Sequence, residues 1–317
     1  MELVEKQYSK DGTIKYAFAV PVRQSLVFSF PERKELIETA FLDLGRRRDD
    51  KPRYVLCLST MAGCIMQCIH CENQFNGFYR VLTPEEINKQ IDSALMEDRN
   101  LEKVIREGRV EHAFMGMGEP LYCDNSVRAV QKHKPAVQDT RFAFSTIGGK
   151  GYIDRLTKRD FPFPIRLEIS LHFPNDNLRR QAMHVNTLAT YSTELTISRA
   201  LDDAERFMDK FPGNVALNYA LIDGLNNAEQ DAQEIARTLK GRRGFYVKVM
   251  EINQTSALTG SWRGERWAFG INPGERGPFY ETPEEFREVL EKYGVEATTF
   301  RSLGKDIDAA CGKMALR

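Results

Sequence analysis

The 317-residue chain sets 45 Lys and Arg against 45 Asp and Glu, so its formal net charge is zero. A hydrophobic share of 42% excludes disorder, and no apolar run approaches the roughly 18 residues of a membrane span. Balanced charge excludes a global basic field, so a nucleic-acid partner requires a local patch; six cysteines in so long a chain exclude a disulfide scaffold.

The opening Met1-Glu2-Leu3-Val4-Glu5-Lys6 lacks the basic-then-apolar pattern of a secretory signal, so a cytoplasmic protein with reduced thiols is expected. Residues 1–51 read as a small β-rich lead-in, with alternation at 15–20 and 37–42, and residues 52–317 as the main α/β unit. From residue 52, strand-like runs at 54–59, 111–115, 141–145, 165–171, 215–222 and 246–252 alternate with amphipathic segments. The helices are predicted at 84–96, 126–132, 153–157, 198–210, 229–240 and 283–293. Thr83-Pro84-Glu85-Glu86 and Thr282-Pro283-Glu284-Glu285 place Thr at the N-cap, Pro at the first helical position and acids in the first turn. Such repeated units predict a parallel sheet with helices outside, open or barrel-like, with the chemistry at the carboxyl ends of the strands. Residues 255–278 form a long glycine-rich loop that carries Trp262, Arg263, Arg266, Trp267 and Phe269. Its residue types suit base stacking and backbone clamping, and equally a loop packed back on its own barrel.

Unusual residues do gather at the strand ends. Cys64-x-x-x-Cys68-x-x-Cys71 follows the first strand, and Gly116-Met117-Gly118-Glu119-Pro120 the second. Ser145-Thr146-Ile147-Gly148, Ser170-Leu171-His172 and Asn253 follow others. A structural zinc site takes four closed ligands, whereas three thiolates can hold a 4Fe-4S cluster with one iron left open. The amino and carboxylate groups of S-adenosylmethionine would fill that position, and an electron from the cluster would release a 5′-deoxyadenosyl radical. His70, between two of the ligands, would point elsewhere.

The cysteine spacing, with other matches from about Asp11 to Met314, resembles the RlmN/Cfr family of radical-SAM adenine methyltransferases. The matches include Glu38-Thr39, Cys57, Gly77-Phe78-x-Arg80, Met115 to Leu121, and Ser170-Leu171-His172-x-Pro174-Asn175-Asp176. Asp223-Gly224-x-Asn226 and Asp306-Ile307-Asp308-Ala309-Ala310-Cys311-Gly312 complete them. The resemblance implies a partial (β/α)6 barrel, a 4Fe-4S cluster on Cys64, Cys68 and Cys71, and two S-adenosylmethionine molecules per turnover. It assigns Cys311 as methyl carrier, Cys57 as the thiol that resolves the covalent intermediate through a transient disulfide, and Glu38 as proton acceptor. Gly118, Glu119, Pro120, Ser145, Ser170, His172 and Asn253 would contact the cofactor. The implied substrate is an adenine ring carbon, carbon 2 or carbon 8, in ribosomal or transfer RNA. A flavodoxin or ferredoxin would serve as electron donor to a monomeric protein away from membranes.

The chain departs from the family in opening almost directly into the lead-in rather than in an N-terminal helical domain, in the long tryptophan loop, and in His70. These departures keep open the same chemistry on a nucleotide-like small molecule, or a degenerate RNA-binding or redox-sensing member. Cys123 reads as an ordinary thiol, and His112 and His184 as structural or exposed. Arg46 to Arg48, Arg179-Arg180 and Arg242-Arg243 read as solvated charge. Glu38 reads equally as a plain edge-strand carboxylate.

Overall fold

The computed structural model describes residues 1–22, 33–46, 52–97, 109–134, 139–183, 196–253 and 278–309. One ten-stranded sheet dominates it. In chain order its strands are β1 (Glu2–Tyr8), β2 (Ile14–Val22), β3 (Arg33–Arg46), β4 (Pro52–Cys57), β7 (Arg109–Phe114), β8 (Thr140–Thr146), β9 (Ile165–Ser170), β10 (Val215–Leu221), β11 (Phe245–Glu251) and β12 (Ala297–Phe300). Neighbours in the sheet follow this same order. The first four strands pair antiparallel, and from β4 to β12 every pairing is parallel. The two missing numbers, β5 (Met61–Gly63) and β6 (Phe78–Val81), form a separate antiparallel hairpin.

The six predicted strands are β4 and β7 through β11, and the sheet is open at both edges, as a partial barrel requires. Two strands that sequence periodicity missed, β1 and the short β12, occupy those edges. The lead-in strands β1 to β3 continue the same sheet through the β3–β4 pairing.

The helices are α1 (Pro84–Glu97), α2 (Asn125–Lys132), α3 (Asp154–Thr157), α4 (Asp176–Ala182), α5 (Ile197–Lys210), α6 (Glu229–Leu239) and α7 (Pro283–Lys292). Both predicted threonine caps form. Thr83 Oγ1 accepts from Glu86 N–H at 3.2 Å while Glu86 accepts from Thr83 N–H at 2.9 Å. Thr282 and Glu285 make the same reciprocal box. The helix α4 was not expected; Asn175 caps it by accepting from Leu178 N–H at 3.0 Å. Among the described residues no helix is long and apolar enough to cross a membrane.

Burial on both faces explains the apolar strands: all seven residues of β10 are buried. One face of the strands packs on helices, with the Phe114 ring stacked on Phe142 at 6.1 Å and tilted against Phe144 at 4.7 Å. The alternate residues, Glu111, Ala113, Ser145, Glu168, Ser170 and Lys248 among them, line a cavity of about 570 Å³.

Candidate active site

The cavity opens beneath the β5–β6 hairpin, whose connection carries Cys64, Cys68 and Cys71, and all three cysteines line it. Gly63 has φ +72°, and a Cβ there would lie 2.1 Å from Gly77 O, so only glycine fits. The close approach lets Cys64 N–H donate to Gly77 O at 2.8 Å. Ile69 N–H donates to Ala182 O at 2.9 Å, tying the loop to the end of α4. Burial pushes the Cys64 thiol up to about 12 and raises those of Cys68 and Cys71. Thiols packed this way ionise only against a positive centre. Among the described residues no three His, Cys, Asp or Glu side chains converge as a single ion requires. Three cysteines on one loop do fit three corners of a 4Fe-4S cube, leaving the fourth for another ligand.

The second strand end supplies a shelf beside that loop. A Cβ on Gly116 would meet Leu58 backbone at 2.8 Å, and one on Gly118 would meet Met61 Cγ at 2.6 Å. These glycines let the turn after β7 lie flat on the turn after β4, where Thr60 N–H donates to Met117 O at 2.8 Å. Glu119 then turns inward. Its carboxylate accepts from Thr146 Oγ1 at 2.6 Å, Ile147 N–H at 3.0 Å and Leu121 N–H at 3.1 Å. Burial nevertheless raises its pKa to about 7. A ligand ammonium beside it would restore full ionisation, so Glu119 suits the amino group of S-adenosylmethionine. Glu119→Gln should weaken S-adenosylmethionine binding to the cluster-loaded protein by about tenfold in equilibrium dialysis. Unchanged affinity would remove Glu119 from the site. Pro120 acts on the other side of the turn, where its carbonyl accepts from buried Ser126 Oγ.

The next strand ends add neutral polar groups. Ser145 and Ser170 hydroxyls lie 3.5 Å apart. Asn218 donates to Ser145 at 3.3 Å and to Glu168 at 2.9 Å. Lys248 at 2.7 Å and Arg166 at 3.4 Å keep Glu168 ionised despite its burial, its pKa held below the ordinary value. These groups line the cavity as well. His172 takes φ +52°, its N–H donating to Asn218 O and its Nδ1 accepting from Ala220 N–H at 3.1 Å. Burial holds the ring neutral, with a pKa well below its ordinary value, so the proton sits on Nε2. His70, which spacing alone turned away, packs on it at 4.6 Å between ring centroids and lines the same cavity. Asn253 donates to Ser302 Oγ at 3.2 Å, and both line the wall.

Cys57 also lines the cavity, buried in an apolar wall with Ala40, Leu42, Val55, Ala113, Ala143 and Ala309. Cys311 itself lies outside the described residues, as do Trp262, Trp267 and His184. The chain two residues before Cys311 is thus part of the Cys57 wall. Glu38 does not line the cavity. It is fully buried on β3, 3.3 Å from Lys15 Nζ, and burial raises its pKa to about 7 against the pull of Lys15.

Three residues to which sequence reading gave no place in the site hold the strand ends together. Gln90 of α1 accepts from Thr39 Oγ1 at 2.7 Å and Ser59 N–H at 2.9 Å, and donates to Ser59 O at 2.9 Å. Its signal was a polar side chain within the buried stripe Ile87, Gln90, Ile91 and Ala94. Ser59 Oγ in turn donates to Glu38 O. Arg179, expected among solvated charges, is 2% exposed and donates to Ile147 O and Ser170 O. It bridges the ends of β8 and β9. Arg242 does lie near the surface, paired with Asp202 and Glu205. His112 is buried against Phe142 and His133, a packing role.

Comparison with known proteins agrees with this arrangement. The Radical SAM superfamily signature matches residues 58–239, over half of the chain. The probable dual-specificity RNA methyltransferase RlmN of Heliobacterium modesticaldum is 30% identical over 311 residues, spanning 96% of this chain and 71% of that one. The dual-specificity RNA methyltransferase RlmN of Campylobacter curvus is 31% identical, spanning 99% and 77%. Among solved structures, a radical SAM methyltransferase from Sphaerobacter thermophilus superposes with a TM-score of 0.73 at 28% identity, covering 98% of this chain and 80% of that one. With the cysteine loop, the Glu119 shelf and the open parallel sheet already in place, these matches settle the kinship: the chain belongs to the radical SAM superfamily and, within it, to the family of the RlmN methyltransferases.

Proposed function

We propose that this radical SAM methyltransferase transfers a methyl group to carbon 2 or carbon 8 of adenine in RNA, using Cys311 as carrier and Cys57 as resolving thiol. The observation that carries the reading is Ala309 and Cys57 in one apolar wall, lining the same cavity as the three-cysteine loop. RNA as substrate rests on the RlmN relatives and on the tail motif that ends in Cys311. When bound, the cluster and S-adenosylmethionine supply a one-electron cleavage that generates a hydrogen-abstracting carbon centre. Glu119 holds the amino end of that cofactor, and Ser145, Ser170 and His172 its nucleoside end. Cys311 receives a methyl group from one S-adenosylmethionine, and a second molecule serves the abstraction, with a flavodoxin or ferredoxin as electron source. After its methyl has lost a hydrogen atom, the Cys311 thioether carbon bonds to the adenine carbon, and the adduct returns one electron to the redox partner that supplied it. Its ring proton passes to Glu38, which stands behind the cavity lining two residues before Ala40 of the Cys57 wall on the same face of β3. The Cys57 thiolate then attacks the Cys311 sulfur. The carbon released from sulfur takes up a proton and becomes the methyl group, and the methylated base leaves as the disulfide closes.

Nucleoside mass spectrometry of RNA from a deletion strain tests the reading. Loss of one methyladenosine, restored by the gene, is expected. RNA with an unchanged set of methyladenosines would overturn RNA as substrate and favour a small nucleotide.

The state of Glu38 gives a pH expectation. A base with a pKa of about 7 is mostly protonated below that value, so turnover should rise with pH and level off above it. Stability moves oppositely. The folded carboxyl titrates above its ordinary value of 4.5, so the native state gains from keeping the proton below 4.5 and loses that gain as pH rises through about 7. Melting temperatures of the parent protein and Glu38→Gln across this window should converge at low pH and diverge at high pH, the variant melting higher. Parallel curves would mean that Glu38 titrates as in an unfolded chain.

A further inference from the structure

The turn between β1 and β2 reaches the tail that leads to Cys311, although 293 positions separate the two. Asp11 uses its two oxygens differently. Oδ1 accepts from Thr13 N–H at 3.0 Å and shapes the turn; Oδ2 accepts from Gly304 N–H across the gap at 2.7 Å. The tail answers with its own carboxylate, because Asp306 accepts from Ser9 Oγ and from Lys10 N–H at 3.2 Å. Gly304 lies at φ +67°, and a Cβ there would sit 2.8 Å from Thr13 Cγ2 and 2.9 Å from Ala309 Cβ. Ala309 N–H donates back to Gly304 O at 3.0 Å, so the clasped segment ends in the Cys57 wall. Burial opposes ionisation of Asp11, but the bonds from Gly304, Thr13 and Ser9 hold its carboxyl at about 2, so the clasp stays charged across ordinary pH.

We infer that Asp11 and Asp306 are positioning residues for the proposed methyl relay: their reciprocal clasp seats the tail against the Cys57 wall and thereby sets the effective concentration of the Cys311 thiol at Cys57. The inference rests on the two-thiol reading above. A clasp of charge-assisted bonds acts on the equilibrium between seated and free tail, and an intramolecular disulfide reports that equilibrium directly.

The test is a glutathione titration of the full, cluster-loaded protein. Glutathione disulfide takes two electrons and two protons from the dithiol, giving two glutathiones and the Cys57–Cys311 disulfide, which peptide mass mapping quantifies. Asp11→Ala combined with Asp306→Ala should lower that equilibrium constant by about tenfold or more. Melting temperature and iron content should stay near the parent values, which a general structural defect would not allow. Asp306→Ala alone, an exposed change, should give part of the effect. Disulfide equilibria equal to the parent in all variants would overturn the clasp. A parent protein that never forms this disulfide would overturn the two-thiol reading and the clasp together, whereas the first result leaves that reading intact.

Discussion

Replacing Cys68 by alanine is expected to give a folded protein that holds no iron–sulfur centre and makes no 5′-deoxyadenosine. The shape of the loop does not depend on this thiol. It comes from Cys64 N–H on Gly77, Ile69 N–H on Ala182 and Gln74 Nε2 on Ile69 O at 3.1 Å, none of which uses a cysteine sulfur. Two thiols would remain, one short of the set that holds a cube by three corners. Iron and sulfide content, visible absorption and product analysis should all fall to background, while the melting temperature of metal-free protein stays close to that of the metal-free parent. Retention of both the cluster and the cleavage would remove Cys68 from the ligand set.

Cys57→Ala has the other large expected effect: the substrate should remain bonded to the protein. Alanine fits this wall, which Ala40, Ala113, Ala143 and Ala309 already build. The fold should therefore survive, and the early steps need only Cys311, the cofactor site and Glu38. Without a second thiol, the bond between carrier sulfur and methylene has no route to break. An RNA-linked protein should accumulate on denaturing gels with no free methylated product. Cys311→Ala should give neither product nor adduct. Normal turnover by Cys57→Ala would refute the resolving role.

Much of this architecture could be read from the chain because local signals and tertiary placement agree. Strands such as β10 are buried on both faces and mostly apolar, the Thr83 and Thr282 caps satisfy their own backbone, and the three cysteines sit on one loop. The carboxylates were harder. Glu38 alternates like a surface residue on β3, and its burial becomes intelligible only through register. Lys15 opposes Ala40, and Ala17 opposes Glu38, so the ion pair is a diagonal across β2 and β3. Arg179 looked solvated beside Arg180, yet the carbonyls it bridges come from two strands that no local window contains. Short edge strands such as β12, with two exposed or half-buried threonines, carry too little apolar pattern to announce themselves.

The strictly sequential sheet has a consequence for biosynthesis. Each strand added from β1 to β12 pairs with one already made, apart from the small β5–β6 hairpin, so the scaffold can grow as the chain emerges from the ribosome. The bonds of Asp11 with Gly304 and of Asp306 with Ser9 and Lys10 cannot form until more than three hundred residues have been translated. Until then the nascent protein has a sheet and a cysteine loop, but its tail is not yet seated. The order of synthesis thus withholds the completed relay from a half-made enzyme.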